Sequence, residues 1–392
     1  APLTLYPASH DILLAGDRPG TPDGSPYWLP ADVVYPGLLE NTRDFLGGLP
    51  QTPCEAFLDI GTGSGIAALG ATRYARHAWG TDIAARSVRF AEFSRRINGI
   101  GNATFIQGDL YAPVADLTFD RIVAHPPYVP APRTEMIFRD GGDDGEQILR
   151  GIIEGLPRHL RPEGRFYTLV LGTDVEGESF EERIRKWLGE AQGEFDIVMV
   201  SHSLRPPAEF VANSLRGGKI PLRELKFWTD AWRQRKAQFL FYGSIVIRRH
   251  ASGRQPITAR VQKGAGFEPK HQEWLLDWET RHRSPDSLEI LMDLRPQIAP
   301  SCELHVLHRL RDGQFQPETL AIEVKSPFVT EMRCGSWMVT LLTWCDGTRT
   351  WREQLQRAQA EGLIASDAPE SEFADVLRML VSYGILVVAT GL

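Results

Sequence analysis

The chain has 392 residues, 42% hydrophobic and 24% charged, with a net charge of −7. That length fits two or three domains, and the composition is that of a soluble globular protein rather than a disordered or fibrous one. No run of about 18 apolar residues marks a membrane span, the first residues lack the basic and apolar regions of a signal peptide, and Cys54, Cys302, Cys334 and Cys345 form no C-x-x-C pair, so reduced thiols in a cytoplasmic protein are expected, without a disulfide frame or a metal site.

Charge is unevenly spread. Residues 204–263 hold 13 Lys/Arg and 3 Asp/Glu, a local excess of +10, which leaves −17 for the rest. The block is either a surface for an anionic substrate or partner or a solvated helix face, while the overall acidity disfavours nucleic acid.

In chain order, residues 1–26 are rich in Pro, Gly and Asp and read as an irregular arm. A helix over roughly 37–48 ends at Gly47-Gly48, and Tyr35 just before it is a candidate lid residue. From residue 56 strands and helices alternate. Strands are expected near 56–60, 78–82, 103–107, 119–124, 165–171 and 195–200, and helices near 64–73, 84–98, 146–160 and 178–190. Alternation of this kind predicts an α/β fold, a doubly wound and mostly parallel sheet. The apolar run at 239–249 is expected to add an antiparallel edge strand, making seven.

The first strand, Phe57-Leu58-Asp59-Ile60, runs into Gly61, Gly63 and Gly65 and then into the apolar Ile66–Leu69. Strand, glycine turn, helix is how a doubly wound sheet brings its backbone close to a nucleotide-like ligand. The spacing is G-x-G-x-G, and a dinucleotide G-x-G-x-x-G would need its third glycine where Ile66 stands. Asp82, followed by Ile83, lies 21 residues after Gly61, about the ~20-residue separation at which an acid ending the next strand can accept both ribose hydroxyls. Asp109, followed by Leu110, ends the third strand, and His125 begins HPPYVP after the fourth. Ligands in such sheets bind beyond the carboxyl ends of the strands, where these residues stand.

The glycine turn with Asp59 resembles motif I of class I S-adenosylmethionine (SAM) methyltransferases, and His125-Pro126-Pro127-Tyr128 resembles the Asn-Pro-Pro-Tyr motif of methyltransferases acting on nitrogen. Together with GTDIAARSVRFAEFSRRINGI, GDLYAPV and the RDGG-xxG segment from Arg139 to Gly145, the window 56–172 is similar to the glutamine-N5, release-factor type of methyltransferase. The resemblance implies SAM as cofactor, with Asp59, Gly61, Gly63, Gly65, Asp82, Ile83, Asp109, Leu110 and His125 around it. It implies that His125, Pro126 and Tyr128 present the acceptor. Two prolines remove two donors and fix φ, which leaves a rigid row of acceptors beside an aromatic platform. His in the Asn position changes the chemistry. A neutral imidazole accepts through one nitrogen only and can take a proton at its ordinary pKa of about 6.5, so hydroxyl acceptors join nitrogen ones, or His125 merely supports the loop.

Beyond 200 the chain departs from that pattern. About 38 residues separate the strand at 195–200 from that at 239–249, and they read as helices near 206–216 and 222–236. Phe227, Trp228 and Trp232 alternate there with Lys226, Arg233, Arg235 and Lys236. The aromatics either line a substrate pocket or bury against the sheet, and burial is the favoured reading. Residues 251–266 read as a linker. The last 125 residues read as a separate α+β module, with helices near 267–283, 285–294, 335–345, 350–361 and 371–383 and strands at 305–310, 319–324 and the final ILVVAT. Its pattern resembles small winged-helix modules that bind leader peptides, and it can dimerise, grip a peptide or close over the active site. The domains are thus expected at 1–50, 51–250 and 267–392. The function expected is SAM-dependent methyl transfer to a nitrogen or hydroxyl of a small molecule, peptide or protein. Nucleobase methylation, or a SAM- or peptide-binding role without catalysis, are the alternatives.

Overall fold

The computed structural model describes the whole chain except residues 1–2, 10–11, 19, 22, 26–29, 35–36, 38, 132–135, 218–221, 251–253, 284–286 and 389–392, so Tyr35 lies outside the described residues. The chain forms two compact units, 1–258 and 259–392.

The first unit opens with a hairpin, β1 (Leu3–Ser9) and β2 (Ile12–Asp17), where an irregular arm was expected. Two short apolar runs account for it: Tyr6, Ile12 and Leu14 are buried in a cluster with Leu69 and Ala103. A short helix follows, α1 (Glu40–Gly47). Then come β3 (Cys54–Ile60), α2 (Ile66–Ala71), β4 (Ala75–Asp82), α3 (Ala85–Ile97), β5 (Ala103–Gln107), β6 (Phe119–Ala124), α4 (Gln147–His159), β7 (Leu160–Val175), α5 (Phe180–Trp187) and β8 (Phe195–Arg205). Two helices, α6 (Pro207–Gly217) and α7 (Leu222–Gln234), precede β9 (Ala237–Arg249).

These strands lie in the order β8-β9-β7-β6-β3-β4-β5. The pairs β3/β4, β4/β5, β3/β6 and β6/β7 are parallel, and β7/β9 and β8/β9 are antiparallel. β9 is therefore not the edge strand expected but lies between β7 and β8. Its long apolar run fits that place, since Leu240, Phe241, Ile245, Val246 and Ile247 are all buried. α4 and α5 bury Leu149, Ile152, Ile153, Leu156, Phe180 and Ile184 in a core with Leu58, Ile122, Phe166, Ile197 and Phe241. The sheet order reverses between β3 and β6, and a crevice opens at the carboxyl ends of strands at such a point.

The second unit contains β10 (Thr258–Lys263), inside the stretch read as a linker, then α8 (Pro269–Arg281), α9 (Ser287–Asp293), β11 (Gln297–Ile298), β12 (Glu303–Arg311), β13 (Gln314–Val324), β14 (Phe328–Cys334), α10 (Ser336–Thr343), α11 (Trp351–Ala360), α12 (Glu370–Ser382) and β15 (Leu386–Val387). Trp351, Leu377, Leu380 and Ile385 are wholly buried in its core. Thr350 caps α11: its side chain accepts from the Glu353 backbone N–H, and the Glu353 carboxylate accepts from the Thr350 N–H. The four cysteines are free. Among the described residues no helix is long and apolar enough to cross a membrane.

Candidate active site

At the reversal point lies a cavity of about 630 Å³, a size that suits a small-molecule cofactor. One wall is built by the turn after β3. Gly61, Gly63 and Gly65 all have positive φ, at 72°, 57° and 86°. The N–H groups of Gly61 and Thr62 both donate to the Thr81 carbonyl, at 2.8 and 3.0 Å, which locks the turn onto the end of β4. A Cβ on Gly61 or Gly63 would meet nothing within 4 Å, so these two glycines border open space. Gly65, expected among the cofactor contacts, does not line the cavity. A Cβ there would lie 3.0 Å from Ala91 and 3.1 Å from Phe105, so this glycine lets the start of α2 pack closely.

Asp59, Asp82, Ile83, Asp109 and Leu110 all line the cavity. Asp59 is buried and accepts from the Thr62 hydroxyl at 2.6 Å and the Ala68 N–H at 3.3 Å. Burial, aided by the charge of Asp82, pushes its carboxyl up to about 6 against those hydrogen bonds. Asp82 accepts from Gly63 N–H at 2.9 Å and Ala84 N–H at 2.8 Å. Burial raises its carboxyl too, and the two N–H groups hold it back. A carboxylate offers about four lone-pair sites, and the Ser87 hydroxyl takes one beside the two N–H groups, so Asp82 keeps one acceptor site for a ligand. Leu110 has φ of 44°, rare for a leucine, and its carbonyl accepts from the Thr81 hydroxyl at 2.9 Å. Open glycines, a buried acid with a spare acceptor and an exposed acid at the next strand end suit a ribose and an adenine amine.

Beside that turn runs the loop after β6: Ile60 pairs with Ala124, so Gly61 and His125 leave neighbouring strand ends. His125, Pro126 and Tyr128 line the cavity with Pro127 and Val129. The His125 ring stacks on Phe45 of α1, with centroids 5.1 Å apart and planes at 23°. Its Nε2 is buried without a partner, and burial pushes the imidazole down to about 4. At neutral pH it is an uncharged ring and a weak base. The Tyr128 hydroxyl accepts from Asn41 Nδ2 at 3.3 Å, and its ring meets Tyr242 edge-on at 6.2 Å. Burial, then Tyr128 and the carboxylates of Asp44 and Glu40, pushes Tyr242 up.

Two further segments hold this loop. The Val129 N–H donates to the Arg139 carbonyl, Gly141 N–H to the Val129 carbonyl and Ala131 N–H to the Gly142 carbonyl. A Cβ on Gly141 would lie 2.7 Å from the Pro127 carbonyl oxygen, and one on Gly145 2.6 Å from that of Tyr128. The glycines of the RDGG-xxG segment thus let two backbones touch. Behind them Glu146, 1% exposed, accepts at both carboxylate oxygens from Arg183 Nη2, at 2.8 and 2.9 Å, and from Thr173 N–H at 2.9 Å. The α6–α7 insertion grips the same loop. Trp228 Nε1 donates to the Pro130 carbonyl at 3.0 Å, Arg235 reaches Glu146 at 3.1 Å, and Arg139 pairs with Glu224 at 3.4 Å. Trp228 and Trp232 are buried with Val129 packed against them, and among the described residues none of α6 or α7 lines the cavity. Part of the basic block is taken up by internal pairing: Arg205, Arg233, Arg235, Lys236, Arg248, Arg249 and Arg254 each face an acid.

Sequence reasoning missed Asn41, Phe45 and Thr62 as lining residues. Thr62 stands inside the glycine motif, whereas nothing in the chain announces that α1 reaches the HPPY loop. The cavity wall is completed by Val33 and Val34. Asp17, at the end of β2, holds them in place. Its backbone N–H donates to the Val34 carbonyl at 2.9 Å, and its carboxylate accepts from Val34 N–H at 2.8 Å and pairs with Arg86 of α3.

The methyltransferase small domain family matches residues 40–193. A release factor glutamine methyltransferase of Moorella thermoacetica is 34% identical over 148 residues, 34% of this chain and 52% of that protein. A ribosomal protein uL3 glutamine methyltransferase of Bradyrhizobium diazoefficiens is 30% identical over 164 residues, 38% of this chain and 51% of that one. A protein of Methanocaldococcus jannaschii, named as a protein N5-glutamine methyltransferase, is 31% identical over 163 residues, 39% of this chain and 80% of that one. The chain spans about half the length of the first two. With the glycine turn, the acids at the strand ends and the HPPY loop around one cavity, the chain belongs to the methyltransferase small domain family of SAM-dependent methyltransferases.

Proposed function

We propose that the protein transfers the methyl group of SAM to a side-chain nitrogen of a protein. One observation carries this reading: Asp59, Gly61, Gly63, Asp82 and Asp109 line the same cavity as His125, Pro126 and Tyr128. In this reading Asp82 accepts from a ribose hydroxyl, Asp109 accepts from the adenine amine, and the backbone beside Gly61 and Gly63 borders the amino-acid part. SAM supplies an activated methyl group.

The acceptor nitrogen lies against the Tyr128 ring and donates to the Pro126 carbonyl, which aims its lone pair along the line of displacement. Orientation is the main requirement of such a reaction. His125 is a weak base here, because burial holds it near 4. It serves as a neutral wall of the acceptor site rather than as the group that removes a proton. Whether the acceptor is a hydroxyl or an amide nitrogen, methylation releases one proton, which would pass to water rather than to His125, so the preference for nitrogen rests on the acceptor row of the HPPY loop and on the relatives. The glutamine methyltransferases among the relatives support an amide nitrogen in a protein. A small-molecule amine uses the same geometry.

Calorimetric titration with S-adenosylhomocysteine (SAH) tests the cofactor half, and micromolar binding is expected. Incubation with labelled SAM and purified release factors, ribosomal proteins, RNA or a metabolite extract tests the acceptor, with mass spectrometry to locate the methyl group. Label on a protein amide supports the proposal. Label only in RNA or only in small molecules overturns the protein acceptor. Tight SAH binding with no transfer to any pool assigns the chain a binding role instead.

A further inference from the structure

We propose that the protein is a homodimer joined through the outer edge of β12, the two copies antiparallel about Leu307. β12 is the terminal strand of its ladder in the order β12-β13-β14-β10, so among the described residues no strand pairs with its outer edge. All nine of its residues are exposed. A long exposed edge that carries apolar side chains is a template for pairing with another strand. The β12/β13 ladder shifts register between Leu307 and His308; alternation along β12 itself places Leu304, Val306, His308 and Leu310 on one face and Glu303, His305, Leu307, Arg309 and Arg311 on the other. Leu304 is 47% and Leu310 59% exposed, large values for leucines in the middle of a strand.

The order of these residues selects a second copy of the same strand. Under a two-fold axis through Leu307, residues 303–311, Glu-Leu-His-Val-Leu-His-Arg-Leu-Arg, set opposite charges at the two ends and leucine opposite leucine inside them and at the centre, while the Val306/His308 and His305/Arg309 pairs add nothing to the match. Pairing centred on Leu307 sets Glu303 of one copy opposite Arg311 of the other, Leu304 opposite Leu310, Val306 opposite His308 and His305 opposite Arg309. Each pair occurs twice, as a two-fold contact requires. Opposite charges and apolar pairs directly across two strands are stabilising, and like charges there are destabilising. A parallel arrangement in register would set Glu303 against Glu303 and Arg311 against Arg311. Within one chain Glu303 faces Lys325 at 3.0 Å and Arg311 faces Glu318 at 3.0 Å, so both ends of the strand already hold their charged groups in place. The same Lys325 lies 3.2 Å from Glu323, so a cation already occupies the acidic cluster of Glu303, His305 and Glu323.

Sedimentation of the full chain over roughly 1–100 μM, the range in which small interfaces associate, tests the pairing. A monomer–dimer equilibrium is expected. Glu303→Arg alone and Arg311→Glu alone should each weaken it by about tenfold or more, because each creates two like-charge pairs. The two changes together should restore it. These positions are exposed, so the variants should fold, and SAH titration of each checks that the first unit is intact. A monomer throughout the range overturns the proposal. So does a dimer indifferent to the single charge reversals, or a monomer whose β12 amides become protected only when an acceptor protein is added.

Discussion

His125 stands where a related motif carries asparagine, and its surroundings decide what it can do. The ring is stacked on Phe45 and held near pKa 4, against about 6.5 in an unfolded chain. The folded protein therefore binds fewer protons than the unfolded one. The stability linked to His125 is fully present above about pH 6.5 and is lost as the pH falls toward 4. His125→Asn should flatten that part of the acid-unfolding profile, read as melting temperature against pH. Asp59 has the opposite sign. With its carboxyl at about 6, its linked stability is full below about pH 4 and is lost as the pH rises through 6. Asp82→Ala should weaken SAH binding by about tenfold or more, the scale of lost hydrogen bonds to a charged group. Tyr128→Ala should leave that affinity within about twofold and cut turnover by about a hundredfold, the scale at which orientation is lost. Equal loss of both would remove Tyr128 from the acceptor side.

Among the elements, loops that hold other loops matter most. Gly145 has φ of 76°, and a Cβ there would lie 2.6 Å from the Tyr128 carbonyl oxygen. Gly145→Ala should cost about 1–3 kcal/mol in stability and lower turnover more than SAH affinity, because the displaced atoms belong to the acceptor loop. Trp228→Phe removes one hydrogen bond to the Pro130 carbonyl and keeps the ring. It should cost about 1 kcal/mol, shown as a lower melting temperature, with turnover reduced and SAH binding unchanged. The glycine turn and the acids at the strand ends were legible in the sequence because strand, turn and helix are local and the ligand site of this architecture lies at one set of strand ends. The lateral position of β9 was not, since an apolar run of that length suits the edge and the interior alike. The hairpin β1/β2 was obscured by the surrounding prolines and glycines. Asn41 and Phe45 could not be placed, because the approach of α1 to the HPPY loop is a contact over more than eighty residues of chain.

At the scale of the whole molecule, part of the +10 block of the sequence is tied into internal pairs, with Asp196, Glu194, Glu146 and Glu176 of the first unit. The site itself draws on a long reach of the chain. Asp17 fixes Val34, and Val33 and Val34 close the cavity from a stretch that precedes the 40–193 match of the family. Homology and function therefore have different boundaries in this protein. A segment excised at residue 40 would retain every motif by which its lineage is read and yet lack one wall of the chamber. It should bind SAH more weakly than the full chain by calorimetry, while Asp17→Asn in the full chain should fall between the two. The stretch matched by the family is here smaller than the stretch that lines the cavity.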